Sequence, residues 1–482
     1  MSHADSDTMG EPKKAVTLGP WKQPVAQPEV DLRVDARAGT LAVDHRGKQA
    51  ASIPLSLQTI HSLFDSIGNN LLSDGISLHI SEKSLATPLG FEALLQTIMM
   101  NMVSCIQPRL SVWSSPDMHS MDAEINYIRN SACLNELNHL HILKNRLSGL
   151  PLLLALPGPS LDMEYIREHR ASFVLLAAGR ASRMLIDEGI YPDFIYIQDV
   201  NTNAWEQNFS SLGDKRIPST LIANPLGRVW KFRKNFKRVF KAWNLYPFEK
   251  DCFPKISEIA PSSVSGAYSV ARLLGCDPIV FIGNDCGTNV EPSEDTGLPQ
   301  ALTNLEHERP GADLVFSPVT NVRNLYLRFG DEFSMMTQLD YTAGAQWLKM
   351  RTKRDVSEAG IRVYDRSLTR LCQFNSPIED ASGYTPAGHV ALPELPRYET
   401  RYDVLKYLLY KKKTYEFIMR QFNAGRVPGS ALSKPGNSVF CRTLFAQKRY
   451  AEPSDTDMAR AKDNAIQLVD HVNTALSELN GV

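Results

Sequence analysis

The 482-residue chain has almost no net charge, because 52 Lys and Arg residues stand against 53 Asp and Glu residues. Without a basic field over the molecule, the composition excludes an argument for nucleic-acid binding. No apolar run approaches the roughly 18 residues of a membrane-spanning helix, so we predict no membrane span. The first residues also lack the apolar core of a secretory signal. Together these absences predict a cytoplasmic protein.

The chain is also poor in the patterns that mark cysteine chemistry and nucleotide binding. Its seven cysteines are scattered and form no C-x-x-C pair, which is typical of a reducing compartment and predicts no structural zinc. Neither a G-x-G-x-x-G nor a Walker pattern occurs. Any nucleotide site must therefore be recognised from strand ends and helix starts.

Short, mainly apolar runs alternate with helical patterns in the middle of the chain. The first three are Leu152–Leu156, Phe173–Ala177 and Asp193–Gln198, each bounded by turn residues. This alternation is typical of buried parallel strands in an α/β protein. Further runs with strand character follow at residues 219–223, 238–243, 278–283 and 361–364. We predict a Rossmann-like, mostly parallel sheet.

The flanking segments differ from this central part in their pattern. Residues 1–28 are polar and predicted to be partly disordered. Residues 29–150 mix alternating and helical stretches as in an α+β domain. The alternating stretches are Thr40–His45 and Gly75–Ile80, and the helical ones are Leu55–Leu72, Phe91–Ile106 and Met121–Gly149. Residues 151–375 hold the strand–helix units, and residues 376–482 are mainly helical. We therefore predict a central catalytic domain between an α+β N-terminal domain and a helical C-terminal domain.

Two helix starts are candidate phosphate sites, since parallel sheets bind ligands at the carboxyl ends of their strands. Gly158, Pro159 and Ser160 follow the first strand, where glycine permits close approach of a ligand and helix amides bind anions. Ser263 opens a later helix that is rich in small residues. The alternative interpretation is a plain turn with Ser160 as a cap, and capping with tight packing at Ser263.

Polar residues also end two predicted strands. Gly283, Asn284 and Asp285 follow the strongest run, and Asp199 has the same position on another strand. They are candidates for ligand contacts, with an Asx-turn as the alternative. Because Asp285 has no evident core partner in the sequence, we expect its replacement to lower turnover far more than stability. His307, between two glutamates, is a candidate general base or part of a solvated loop.

Two basic segments have simpler interpretations. Lys231–Lys241 interleaves cations with phenylalanines, and we interpret it as an amphipathic helix or an anion-binding rim rather than a nucleic-acid site. Lys411–Lys413 is interpreted as an exposed helix face.

Three segments together resemble one protein family. They are LALPGPSLD at 154–162, GIYPDFIYIQD at 189–199 and SVSGAYSVARLLGCDPIVFIGNDCG at 263–287. In order and spacing they resemble the motility accessory factor (Maf) family of bacterial flagellin glycosyltransferases, which shares a domain with 6-hydroxymethylpterin diphosphokinase MptE-like proteins. The sequence departs from that pattern at Pro157, at Ser265-Gly266 and at Cys286-Gly287.

The resemblance implies a sialyltransferase-like central domain and a glycosyltransferase activity. The family's reaction is transfer of a nonulosonic acid from its CMP-activated form to Ser or Thr of flagellin, without a metal or other cofactor. It implies flagellin and a nucleotide-sugar donor as partners and a role in motility. Two alternatives stay open: a Mg²⁺-dependent diphosphokinase acting on a pterin alcohol, and a non-catalytic flagellar chaperone or scaffold.

Overall fold

A computed structural model describes the chain over a set of ranges, and these fall into two compact units. The described residues are 30–35, 40–45, 48–54, 76–80, 120–158, 160–242, 262–289, 324–329, 333–367, 377–381, 384–386, 388–396, 402–424 and 455–480. One unit comprises residues 1–110 and 286–343, and the other comprises 111–285 and 344–482. Pro159, His307, the helical stretches predicted at 55–72 and 91–106 and the predicted disordered tail at 1–28 lie outside the described residues.

The first unit contains a seven-stranded mixed sheet. Its strands are β1 Val30–Asp35, β2 Thr40–His45, β3 Lys48–Pro54, β4 Ile76–Ile80, β12 Gly287–Asn289, β13 Asn324–Phe329 and β14 Phe333–Gln338. Their order is β12-β14-β13-β4-β1-β2-β3, with parallel pairing only at β13–β4 and β4–β1. The alternating segments predicted near residues 40–45 and 75–80 are strands β2 and β4.

The second unit is built on a nine-stranded sheet in which every pairing is parallel. Its strands are β5 Asn138–His139, β6 Leu152–Ala155, β7 Val174–Ala178, β8 Phe194–Ile197, β9 Ile217–Ala223, β10 Phe236–Lys241, β11 Ile279–Ile282, β15 Val363–Asp365 and β16 Glu379–Asp380. The order is β16-β15-β11-β6-β7-β8-β9-β10-β5. The α/β class with a parallel sheet is thereby confirmed.

Nine described helices accompany the sheets. They are α1 Ser120–Ala132, α2 Met163–His169, α3 Arg180–Asp187, α4 Thr202–Phe209, α5 Val229–Phe232, α6 Ser263–Leu274, α7 Leu339–Ala359, α8 Val404–Asn423 and α9 Asp455–Asn480. Helix α6 ends where the sequence predicts, because Gly275 takes the left-handed conformation at φ 85°.

Burial on both faces explains the apolar composition of the central strands. All residues of β6, β7, β8 and β11 are buried, as parallel strands covered by helices require. Strands β8, β9 and β10 share one core cluster with α1, α8 and α9. The C-terminal helices therefore pack on the parallel sheet, while the domain boundaries at residues 150 and 375 stay predictions.

Three interpretations of local sequence were wrong. The helical stretch predicted over 121–149 ends at Ala132, and 3₁₀ turns and strand β5 follow it. Residues 231–241 form the end of α5, a 3₁₀ turn and strand β10, rather than one amphipathic helix. Lys411–Lys413 was interpreted as an exposed helix face. Lys411 is instead buried and pairs with Glu124 at 2.8 Å.

Candidate functional site

The order of the parallel strands creates a crevice at one point of the sheet. From β6 the chain adds β7 to β10 on one side, whereas β11, β15 and β16 lie on the other side. Connections therefore diverge between β6 and β11, and ligands in such sheets bind outside the carboxyl ends of the strands at that point. The turn after β6 and the residues after β11 are the chain segments at this position.

The turn after β6 is joined to the end of β11 by main-chain contacts. The N–H of Gly158 donates to the carbonyl oxygen of Gly283 at 3.0 Å, and the N–H of Leu156 donates to that of Ile282 at 2.9 Å. A Cβ atom on Gly158 would overlap the Gly283 oxygen and Asp285 Oδ2, and would lie 3.0 Å from Asp285 Cβ. The close approach that Gly158 permits is thus to the neighbouring strand end, rather than to a ligand as the sequence suggested.

Asp285 holds the same turn through its side chain. Its Oδ2 accepts hydrogen bonds from the N–H of Ser160 at 2.9 Å and from the Ser160 hydroxyl at 2.7 Å. The carboxylate is buried, with 1% of its surface exposed. Our expectation that Asp285 has no core partner was therefore wrong, and the residue positions the turn.

A second carboxyl group lies beside these residues, at the end of β15. Asp365 Oδ2 accepts from the side-chain amide of Asn284 at 3.1 Å, and Oδ1 accepts from the N–H of Ser367 at 2.9 Å. The Ser367 hydroxyl in turn accepts from the N–H of Asn284 at 2.7 Å. Asn284 is therefore held through both its main chain and its side chain.

The environment of Asp365 changes its acidity. Burial raises its pKa to about 7, and the charge of Asp285 adds to that rise, while hydrogen bonds from Ser367 and Asn284 oppose it. A carboxyl group with a pKa in this range exchanges its proton near neutral pH. Two carboxyl groups with different roles therefore lie at this edge of the sheet. Asp285 accepts hydrogen bonds from the turn at Ser160, and Asp365 accepts one from the side chain of Asn284.

Helix α6 begins close to the end of β8. Ser262 is its N-cap, and the Ser262 hydroxyl accepts from the N–H of Ser265 at 3.3 Å. Gly266 allows the ring of Tyr196 to pack against the first turn, since a Cβ there would lie 2.7 Å from two ring carbons. The charge of Asp199 raises the pKa of Tyr196, after the larger effect of burial. Gly266 of α6 therefore contacts the Tyr196 ring, and the charge of Asp199 acts on the same side chain from the end of β8.

Asp193, in the second of the three segments that resemble the family, has a structural role. Asp193 Oδ1 pairs with Arg170 at 2.8 Å, and its Oδ2 accepts from the N–H of Leu175 at 2.8 Å. The carboxylate thereby ties the start of β8 to β7, at the end of the sheet away from the crevice.

The structure brings part of the predicted site together. Gly158, Ser160, Gly283, Asn284 and Asp285 form one contiguous cluster. Asp199 acts on Tyr196 through its charge, and Ser263 opens α6, whose Gly266 contacts the Tyr196 ring.

Sequence reasoning missed two members of the cluster, Asp365 and Ser367. The late strand was predicted to end at Tyr364, one residue before Asp365, so the polar residues beyond it were not considered. The same rule that selected Asn284 and Asp285, polar residues at the carboxyl end of an apolar run, would have found them.

Comparison with known proteins identifies the region that contains Gly158, Ser160 and Gly283–Asp285 of this cluster. Residues 125–291 match the family described as 6-hydroxymethylpterin diphosphokinase MptE-like. The match spans the strands from β5 to β11 and confirms the MptE-like domain that the three sequence segments resemble. No curated protein matches the chain.

A solved structure is also similar to the chain. It is titled "Structure of MAf glycosyltransferase from Magnetospirillum magneticum AMB-1", with 12% identity and a TM-score of 0.40. The alignment covers 89% of this chain and 67% of that one.

Two kinds of feature are absent from the described part of the chain. Among those residues, no helix has the length and apolar character needed to cross a bilayer. Nor do three or more His, Cys, Asp or Glu side chains of the described residues form an arrangement that could hold a metal ion.

Proposed function

We propose that the protein is a glycosyltransferase that moves a nonulosonic acid from a CMP-activated donor to Ser or Thr of flagellin. The observation that carries the proposal is the polar cluster of Ser160, Asn284, Asp285 and Asp365 where the strand connections diverge. The sequence segments that resemble the Maf family are the segments that build most of this cluster. We further propose that the reaction takes place in the cytoplasm and serves flagellum assembly and motility.

In this proposal the strand-end residues bind the donor. The turn Gly158–Ser160 and the first turn of α6 at Ser263 would hold the nucleotide phosphate through main-chain N–H groups. Asn284 would present its side chain to the donor, because Asp365 and Ser367 fix its orientation. Asp199 would contact the nucleotide or sugar from the end of β8. Asp285 acts on the donor through Ser160, which it holds.

The chemistry needs a proton acceptor but no change of oxidation state. The acceptor hydroxyl attacks the anomeric carbon, the bond from that carbon to the phosphate oxygen breaks, and CMP leaves. The hydroxyl proton passes to a base, for which His307 is our candidate. We propose that no metal is needed, because the leaving group is a monophosphate that N–H donors can stabilise.

A second candidate is transfer of diphosphate from ATP to a pterin alcohol. Two observations favour it: the description of the family that residues 125–291 match, and the proximity of the carboxyl groups of Asp285 and Asp365. Carboxylates in such an arrangement can hold the Mg²⁺ that phosphoryl transfer uses. Metal dependence therefore separates the two candidates.

The experiment combines a defined reaction with analysis of the natural acceptor. Purified protein is incubated with flagellin and a CMP-nonulosonic acid, with and without EDTA, and flagellin is weighed by mass spectrometry. A mass increase that EDTA leaves intact supports the proposal. Formation of a pterin diphosphate from ATP and Mg²⁺ supports the second candidate. Flagellin of unchanged mass in a deletion strain would overturn the transferase and favour a non-catalytic role.

A further inference from the structure

An arginine follows β15 at the carboxyl edge of the sheet without an acidic partner. Arg366 comes directly after Asp365 and is partly buried. Its main-chain N–H donates to the carbonyl oxygen of Phe281 at 3.0 Å. Its guanidinium forms no ion pair with any carboxylate of the described residues. The arginine at the other end of the strand is different, because Arg362 pairs with Asp277 at 3.3 Å.

An aromatic ring holds the guanidinium of Arg366 in place. Its Cζ lies 3.7 Å from the centre of the Tyr165 ring, which is the geometry of a stacked cation–π contact. His169 stacks on the same ring at a centroid distance of 4.2 Å. Two groups this close to one ring must occupy its opposite faces, so Tyr165 is sandwiched between them. The stack holds the guanidinium against one face of the Tyr165 ring.

The stack is next to the turn of the candidate site. Tyr165 lies in the first turn of α2, where its N–H donates to the capping Asp162 at 3.0 Å. That helix start follows Ser160 directly, and Arg366 adjoins Asp365, which holds Asn284. Arg366 thus follows the same strand end as Asp365, at the sheet edge of the polar cluster, and no carboxylate of the described residues neutralises its charge.

We propose that Arg366 binds the anionic group of the substrate. A planar guanidinium with five N–H donors matches an oxyanion with two oxygens, either a phosphate or a carboxylate. A CMP-nonulosonic acid carries both, so this inference rests on the proposed function and adds a residue to it. Arg366 selects acidic ligands, and its charge is required for binding rather than for folding.

The test compares Arg366→Gln with Arg362→Gln, which removes the same charge from the opposite end of β15. Calorimetry is performed with CMP, cytidine, N-acetylneuraminic acid and inorganic phosphate, after equal melting temperatures have been checked. We expect Arg366→Gln to weaken the affinity for the anion that Arg366 contacts about 10- to 100-fold, which is the effect of losing one charged hydrogen bond. Arg362→Gln should leave the affinity for every probe unchanged. Arg366→Lys keeps the charge without the planar edge and should give an intermediate loss.

Comparing the four ligands shows which anionic group Arg366 contacts. A loss for CMP and phosphate assigns Arg366 to the phosphate, and a loss for N-acetylneuraminic acid assigns it to the carboxylate. If the wild type binds phosphate through Arg366 but neither CMP nor the sugar acid, the anion site stands and the proposed function falls. Equal affinities in wild type and Arg366→Gln for every probe, or no anion binding by the wild type, would overturn the inference.

Discussion

Asp285 and Ser160 are 125 positions apart in sequence, and two hydrogen bonds join them at the centre of the candidate site. Both bonds end on the same oxygen, Oδ2, which receives the N–H and the hydroxyl of Ser160. The turn after β6 therefore takes its shape from the end of β11. A change at Asp285 acts on the turn before it acts on any ligand.

The first prediction concerns the balance of stability and activity at this contact. Asp285→Ala removes both bonds and leaves the N–H of Ser160 without this acceptor, so we expect a loss of about 1–3 kcal/mol in the free energy of unfolding. Ser160→Ala removes only the hydroxyl bond and should cost about 1 kcal/mol. Urea unfolding measures both. A stable Asp285→Ala protein with low transfer activity would show that Asp285 contacts substrate and does not merely hold the turn.

The second prediction concerns the space around Gly158. An alanine there would overlap the main-chain oxygen of Gly283, which belongs to the sheet edge and cannot move freely. Gly189→Ala is the control, because Gly189 ends the last turn of α3 at φ +72° and has no atom within 4 Å of an added Cβ. The control should lose about 1–2 kcal/mol through backbone strain alone. We expect a larger loss for Gly158→Ala in urea unfolding; an equal or smaller one would contradict the contact.

The parallel sheet could be predicted from the sequence because its strands are covered on both faces. Runs such as Leu152–Leu156 contain no polar residue, and turn residues follow each of them. The partners of individual polar residues could not be predicted in the same way. Glu124 and Lys411 are 287 positions apart, and only the packing of α1 against α8 brings them together. Lys411 is one of three consecutive lysines, which favoured an exposed position. Nothing in the local sequence indicates the buried glutamate on another helix.

The third prediction uses the raised pKa of Asp365. Its pKa is about 7 in the folded protein against 3.8 as the reference value, so between these values the folded state keeps a proton that the unfolded state has released. Stability therefore falls as the pH rises through this interval. Asp365→Asn cannot titrate and should lack this part of the pH dependence. Melting temperatures of both proteins from pH 4 to 8 test it, and a constant difference between them would contradict the assignment.

The last prediction concerns the buried pair of Lys411 and Glu124. Lys411 Nζ lies 2.8 Å from Glu124 Oε1, which also accepts a hydrogen bond from the hydroxyl of Tyr415. Lys411→Met leaves the carboxylate buried without its cation, so we expect a loss of about 3–5 kcal/mol in the free energy of unfolding. Lys413→Met, on the exposed side of the same helix, should change stability by less than about 0.5 kcal/mol.

A double variant separates the charge from the packing at this pair. Lys411→Met together with Glu124→Met removes both buried charges and should regain part of the stability that the single variant loses, because apolar side chains of similar volume can replace such a pair. Urea unfolding of the two single variants and the double variant gives the coupling free energy between the two side chains. Strictly additive losses would show that the pair contributes through packing alone. A double variant more stable than either single one would show that the cost arises from the carboxylate left alone between α1 and α8.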